Sequence, residues 1–101
     1  MKLLGSEGYF FGIKLKNRII RSATGERASL ENGCVTDQYL DIYSRLADGG
    51  TGLIITGHTY VDKTGANGPH MAGIHDDSVI EPLSNVVQAV HDKGAKIILQ
   101  I

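Results

Sequence analysis

Three short apolar runs constrain this chain most: Ile19-Ile20, Leu53-Ile54-Ile55 and Ile97-Ile98-Leu99, kept apart by two stretches of helical periodicity. Leu53-Ile54-Ile55 is continuous rather than alternating. A continuous run fits a strand covered on both faces, as in a parallel sheet beneath helices. Parallel neighbours need a crossover, and each intervening stretch is long enough to supply one as a helix. The order read from the residues is a hairpin followed by β-α-β-α-β, an α/β class.

The boundaries follow from local chemistry. Tyr9 to Asn17 reads as a hairpin with Gly12 at its turn, and Arg18 to Ser22 as the first strand of the parallel series. Ser22 to Val35 is a loop that holds the turn pair Asn32-Gly33. Thr36 is a good N-cap, with Asp37 in the first turn. Tyr39, Tyr43 and Leu46, widened by Leu40 and Ala47, form the apolar face of the helix that Gly49-Gly50 stops. Thr51 to Thr59 is the second strand, and Tyr60 to His75 is a long polar loop. Ser78 and Glu81 fit a capping box. Pro82 is out of place beyond a first helical turn. The expectation is therefore an irregular turn over Asp76 to Glu81 and a regular helix over Pro82 to Lys93, with Leu83, Val86, Val87 and Val90 as its stripe. Gly94 ends that helix, and Ala95 to Ile101 is the third strand.

At 101 residues the chain is one domain or part of one. Its 10 basic and 11 acidic side chains remove any general electrostatic case for nucleic acid or an anionic membrane. The single cysteine, Cys34, excludes an internal disulfide framework and reads as a spare thiol. Met1 to Gly5 is too short for a signal-peptide core, and the apolar runs fall far below the ~20 residues of a membrane helix, so the expected location is cytoplasmic. Gly49-Gly50-Thr51-Gly52 precedes a strand rather than following one, which makes it a helix stop and not a dinucleotide fingerprint. His70 and His75 lie in a loop at a spacing that no regular element fixes, so no metal is expected there. Glu26 and Arg27 read either as solvated loop charges or as groups that shape access to the strand ends.

Three parallel strands and two helices leave the last strand uncovered and both sheet edges open. A closed (β/α)8 barrel takes ~250 residues, and these elements match the N-terminal portion of one, with residues 1–101 as an incomplete single domain. A small flavodoxin-like domain would need a phosphate loop leading straight from the first strand into a helix, and Ala23 to Val35 is too long for that.

Leu15-Lys16-Asn17-Arg18-Ile19-Ile20, continued by Arg21-Ser22-Ala23-Thr24, resembles the first strand of the old yellow enzyme family of FMN-dependent oxidoreductases. The resemblance runs on through Thr36-Asp37, Gly49-Gly50-Thr51-Gly52-Leu53-Ile54-Ile55-Thr56-Gly57-His58, Gly73-Ile74, Asp77, Val90 to Ile97, and Gln100. It covers nearly the whole chain in family order. It implies an eight-stranded barrel with FMN at the C-terminal mouth of the strands. Hydride would pass from NADH or NADPH to flavin N5, and then to a small-molecule acceptor, an activated alkene or a related group.

The resemblance implies three contacts with FMN. Backbone groups of Ser22-Ala23-Thr24-Gly25 would meet the ring at the end of the first strand. The backbone of Gly57-His58 would face it from the second, with the His58 side chain turned aside or, as the alternative, donating to the flavin or the substrate. The Gln100 carboxamide would bond the pyrimidine edge. Many relatives carry Pro at the position of Ala23, Thr or Cys at that of Gly25, and Ala or Gly at that of His58. The family's substrate-clamping pair, proton-donating tyrosine and phosphate-binding cation have no counterpart among these residues. The chain alone is therefore expected to be inactive. The alternative is a non-catalytic remnant or association module that pairs with itself or with the rest of a barrel.

Overall fold

The computed structural model describes residues 2–101; Met1, where the signal-peptide reading begins, lies outside them. β1 (Gly8–Phe10) and β2 (Ile13–Leu15) pair antiparallel, with Phe10 opposite Ile13. The connecting pair Phe11-Gly12 has φ of 49° and 82°. Two consecutive positive φ values give the turn whose twist matches a tight hairpin, and glycine takes its place there without a Cβ penalty.

β3 (Ile20–Arg21) is shorter than the expected Arg18 to Ser22. The Asn17 side chain explains the late start. Its Oδ1 accepts from the Ile19 N–H at 3.1 Å while its Nδ2 donates to the Gly50 carbonyl at 2.6 Å, so the Ile19 N–H is taken locally although the Ile19 carbonyl still accepts from the Gly52 and Leu53 N–H groups. At the other end the Thr24 hydroxyl turns back to the Ser22 carbonyl.

α1 (Asp37–Asp48) starts where the capping chemistry places it, with the Thr36 hydroxyl oxygen accepting from the Tyr39 N–H at 3.2 Å. β4 (Leu53–Tyr60) follows. The loop beyond it is less featureless than its polarity implies, because β5 (Ala72–Gly73) pairs parallel to the end of β4. The expected Ser78–Glu81 capping box does not form. The Ser78 N–H and hydroxyl both bond Asp76 Oδ1, which caps a short 3₁₀ turn, Asp77–Val79. α2 (Ile80–Asp92) begins directly after it, two residues earlier than expected. Pro82 is its third residue, inside the first turn, where a backbone N–H has no helical acceptor to lose. β6 (Lys96–Gln100) closes the chain.

β3, β4 and β6 run parallel with β4 in the middle; Leu53 pairs with Ile20 on one side and Lys96 on the other. Tyr39, Tyr43 and Ala47 of α1 and Val86 and Val90 of α2 pack with Ile54, Ala95 and Ile97, covering one face of the sheet. Burying side chains the size of Ile54, Val86 and Val90 contributes about 1.5–3 kcal/mol each. Among the described residues, the outer edges of β3 and β6 pair with nothing, and Ile20 (41% exposed) and Leu99 (37%) stay open to solvent. No helix among them is long and apolar enough to cross a membrane.

Candidate functional site

Parallel pairing brings the C-terminal ends of β3, β4 and β6 to one side of the sheet. The ladder between β4 and β6 is irregular there. Ile55 pairs with Ile98 but His58 pairs with Gln100, so three steps on β4 match two on β6. This bulge places His58 on the sheet face of Gln100 and Ile98, away from the helices. Buried Thr56 repairs the interrupted ladder: its hydroxyl oxygen accepts from the Gln100 N–H at 3.0 Å. On the other side of β4, a Cβ built on Gly25 would lie 3.3 Å from His58 Cε1. Gly25, His58 and Gln100 therefore form a row across the three strand ends.

Beneath this row lies a polar hub at the Tyr43 hydroxyl. It donates to Glu26 Oε2 at 2.5 Å and accepts from the Gly57 N–H at 2.9 Å and from Arg21 Nη1 at 3.4 Å. Arg21 also donates to the Ile55 carbonyl at 2.9 Å and the Thr24 carbonyl at 3.3 Å, and its guanidinium carbon stands 5.4 Å from the Tyr43 ring centroid. Burial, reinforced by the Glu26 bond, raises the Tyr43 pKa above the ordinary phenol value, so the hydroxyl stays protonated as a donor. Tyr39 stacks on Tyr43 with centroids 4.7 Å apart, and its pKa is also pushed up, chiefly by burial. Gly57 is where two chain segments close on each other. A Cβ there would meet the Thr24 carbonyl oxygen at 2.6 Å and Glu26 Oε2 at 2.5 Å, so glycine is what lets the end of β3 lie against β4.

The residues that the resemblance singles out lie just past β3 (Ser22 to Gly25), in β4 (Gly57 and His58) and at the end of β6 (Gln100). Ser22, Thr24 and Gly25 are exposed and Ala23 half-buried, in the segment just past β3. The Gly57 N–H, expected to face a ligand, is committed to Tyr43, and its carbonyl accepts from the Thr59 hydroxyl. The His58 side chain is not turned aside. Its ring lies against Gly25 and lines a cleft, and its Nε2 is buried with no hydrogen-bond partner. Gln100 is exposed, and its carboxamide bonds no other group among the described residues. The sequence reading missed Arg21, Glu26 and Tyr43 as one unit. Glu26 is not a solvated loop charge, because its carboxylate is bound to the hub. The signal was present in a charged residue inside an apolar strand and a hydroxyl at a core position of α1.

Comparisons with known proteins identify the family and the fold. The model of the NADH:flavin oxidoreductase / NADH oxidase family matches residues 10–101. A metal reductase of Desulforamulus reducens is 37% identical over 101 residues, covering 100% of this chain and 15% of that protein. An NADPH dehydrogenase of Listeria welshimeri is 35% identical over 103 residues, covering 100% of this chain and 30% of that protein. The chain thus spans less than a third of the length of these relatives. The crystal structure of Old Yellow Enzyme from a Pichia species superposes with a TM-score of 0.87 at 28% identity, over 96% of this chain and 25% of that one. The chain belongs to the NADH:flavin oxidoreductase / NADH oxidase family, and its fold is the N-terminal part of an old yellow enzyme-type barrel.

Proposed function

We propose that this chain supplies the flavin-binding rim of an FMN-dependent oxidoreductase that takes hydride from NADH or NADPH and passes it to an activated alkene or a related small-molecule acceptor. The observation that carries this reading is the row Gly25–His58–Gln100 at the ends of adjacent parallel strands, where His58 Nε2 and the Gln100 carboxamide have no hydrogen-bond partner among the described residues. FMN, when bound, supplies an N5 that accepts and returns hydride.

The residues present fit such a ring. Gln100 offers a carboxamide donor and acceptor side by side, as a pyrimidine edge requires. The orphaned His58 Nε2 provides a further polar group, since a buried nitrogen without a partner is costly unless a ligand satisfies it. Ser22 to Gly25, exposed except for half-buried Ala23, follow a strand end that Arg21 fastens to the Ile55 carbonyl. Gly57 and the Tyr43 hub hold this rim in shape. On this reading the protein is cytoplasmic, and the rest of a barrel is the partner that covers the outer edges of β3 and β6.

The open edges, together with exposed Ile20, Leu99 and Ile101, favour a second reading in which the chain is a non-catalytic association module that pairs with itself or with another part of a barrel. Titrating the chain into FMN and following flavin fluorescence separates the two. The first reading predicts saturable quenching. Concentration-dependent dimerisation in sedimentation without saturable quenching would leave the second.

A further inference from the structure

The end of the sheet opposite the strand-end row carries the β1–β2 hairpin. Lys16 Nζ donates to the Lys93 carbonyl at 2.7 Å and Asn17 Nδ2 to the Gly50 carbonyl at 2.6 Å, which fastens the chain after β2 to the C-terminal ends of α2 and α1. Beyond these anchors the hairpin is aromatic. Phe11 is 92% exposed and Tyr9 74%, and the Phe10 and Phe11 rings meet edge to face at 84°. A Cβ on Gly12 would meet nothing within 4 Å, so the tip projects from the fold. Phe11 holds its φ of 49° at the first position of the turn, a place that suits glycine or asparagine and disfavours a large side chain. An aromatic ring kept there contributes nothing to the core and points to a use outside it.

Charge is divided along the same axis. The carboxylates of Asp37, Asp76, Asp77 and Glu81 stand at the starts of α1 and α2, the end that carries the strand-end row. At the hairpin end, Lys14–Glu7, Arg45–Asp41 and Lys93–Asp48 cancel as ion pairs. Lys16, Arg18 and Lys96 have no carboxylate partner among the described residues; the opposing charge there is Asp92, which accepts from Gln88 Nε2. Arg18 bonds the Ser6 hydroxyl and the Glu7 carbonyl, so it keeps its charge uncompensated. The nearly balanced total of 10 basic and 11 acidic groups therefore conceals a cationic end.

We propose that the hairpin end is a peripheral membrane-binding surface, with Phe11 and Tyr9 entering the interfacial layer of a bilayer whose anionic headgroups meet Lys16, Arg18 and Lys96. A projecting apolar tip above a cationic base matches a soft apolar phase beneath a negative surface. The perpendicular rings of Phe10 and Phe11 give no common plane on which successive nucleic-acid bases could stack. Contact at this end leaves the strand-end row facing away from the bilayer and open to water, whatever that row binds.

The test is cosedimentation of the full chain with phosphatidylcholine vesicles, with and without phosphatidylserine. Anionic vesicles should carry the chain down saturably, pure phosphatidylcholine at least about tenfold more weakly, and rising salt should release it. F11G puts glycine where the turn prefers it, so its urea midpoint should not fall. Its vesicle affinity should nevertheless drop by about fivefold or more. K16Q should weaken binding by about fivefold, with amide spectra confirming that it is folded. Equal sedimentation with neutral and anionic vesicles, F11G bound as tightly as the parent chain, or no binding at all overturns the proposal. So does capture of a single-stranded oligonucleotide in place of vesicles, or dimerisation that F11G abolishes in a chain that ignores vesicles.

Discussion

A β-carbon on Gly25 would sit 3.3 Å from Cε1 and 3.7 Å from Nδ1 of His58, so the two positions share one space. The family pattern set out from the sequence places a Thr or Cys side chain at the first position and a small residue at the second. Here the arrangement is reversed. The side-chain volume stands on the adjacent strand instead of the segment after β3, and the imidazole crowds the place that a residue 25 side chain would take.

This exclusion predicts a compensating pair. G25T alone crowds the imidazole and should cost about 1–3 kcal/mol, the usual range for overpacking. In an H58A background the same change has room and should cost much less. Urea unfolding of both single variants and the double variant measures the coupling, expected to be at least about 0.5 kcal/mol. Additive costs would show that the positions do not compete.

The hub predicts opposite effects for two stacked tyrosines. Y43F removes the hydroxyl that serves Glu26, Gly57 and Arg21, leaving the buried Gly57 N–H unpaired, at a cost of about 1–3 kcal/mol. Tyr39 Oη is buried without a partner, so Y39F should be neutral or stabilising. Comparing urea midpoints tests the contrast; a Y39F loss as large as that of Y43F would contradict it.

The turn before α2 predicts a local acid response. Bonds from the Ser78 hydroxyl, and then from its N–H, hold the Asp76 pKa below the ordinary carboxylate value. A depressed carboxylate contributes fully above its unfolded-state pKa and loses its contribution as pH falls through the lower folded value. The Ser78 amide shift should therefore titrate in that acid window and be flat across it in D76A. A Ser78 amide that titrates equally in both proteins would assign the response to another group.

Much of this architecture is legible in the residues because local rules and tertiary packing agree. Thr36 caps α1, and Tyr39, Tyr43, Val86 and Val90 face the core as their spacing requires. Where the reading strayed, a long-range partner had decided the outcome. Asn17 reaches Gly50 and shortens β3, and the end of β4 recruits Ala72-Gly73 into a strand too short to show a pattern. Asp76 takes the Ser78 groups that a capping box would have used. At the strand ends, Gln100 and Gly25 are candidates only through the family resemblance, since a lone glutamine at a strand end has no periodic signal. The Arg21–Tyr43–Glu26 unit stayed hidden because its members are distant in sequence and each has an ordinary local explanation.

The central claim is that the ends of β3, β4 and β6 form one surface for the isoalloxazine ring. Mapping amide and side-chain shifts of the chain as FMN is added tests it most directly. The account predicts saturable changes clustered at Ser22 to Gly25, His58 and the Gln100 carboxamide, with little change on the outer faces of α1 and α2. Shifts that cluster elsewhere, or no saturable shift at all, would contradict it.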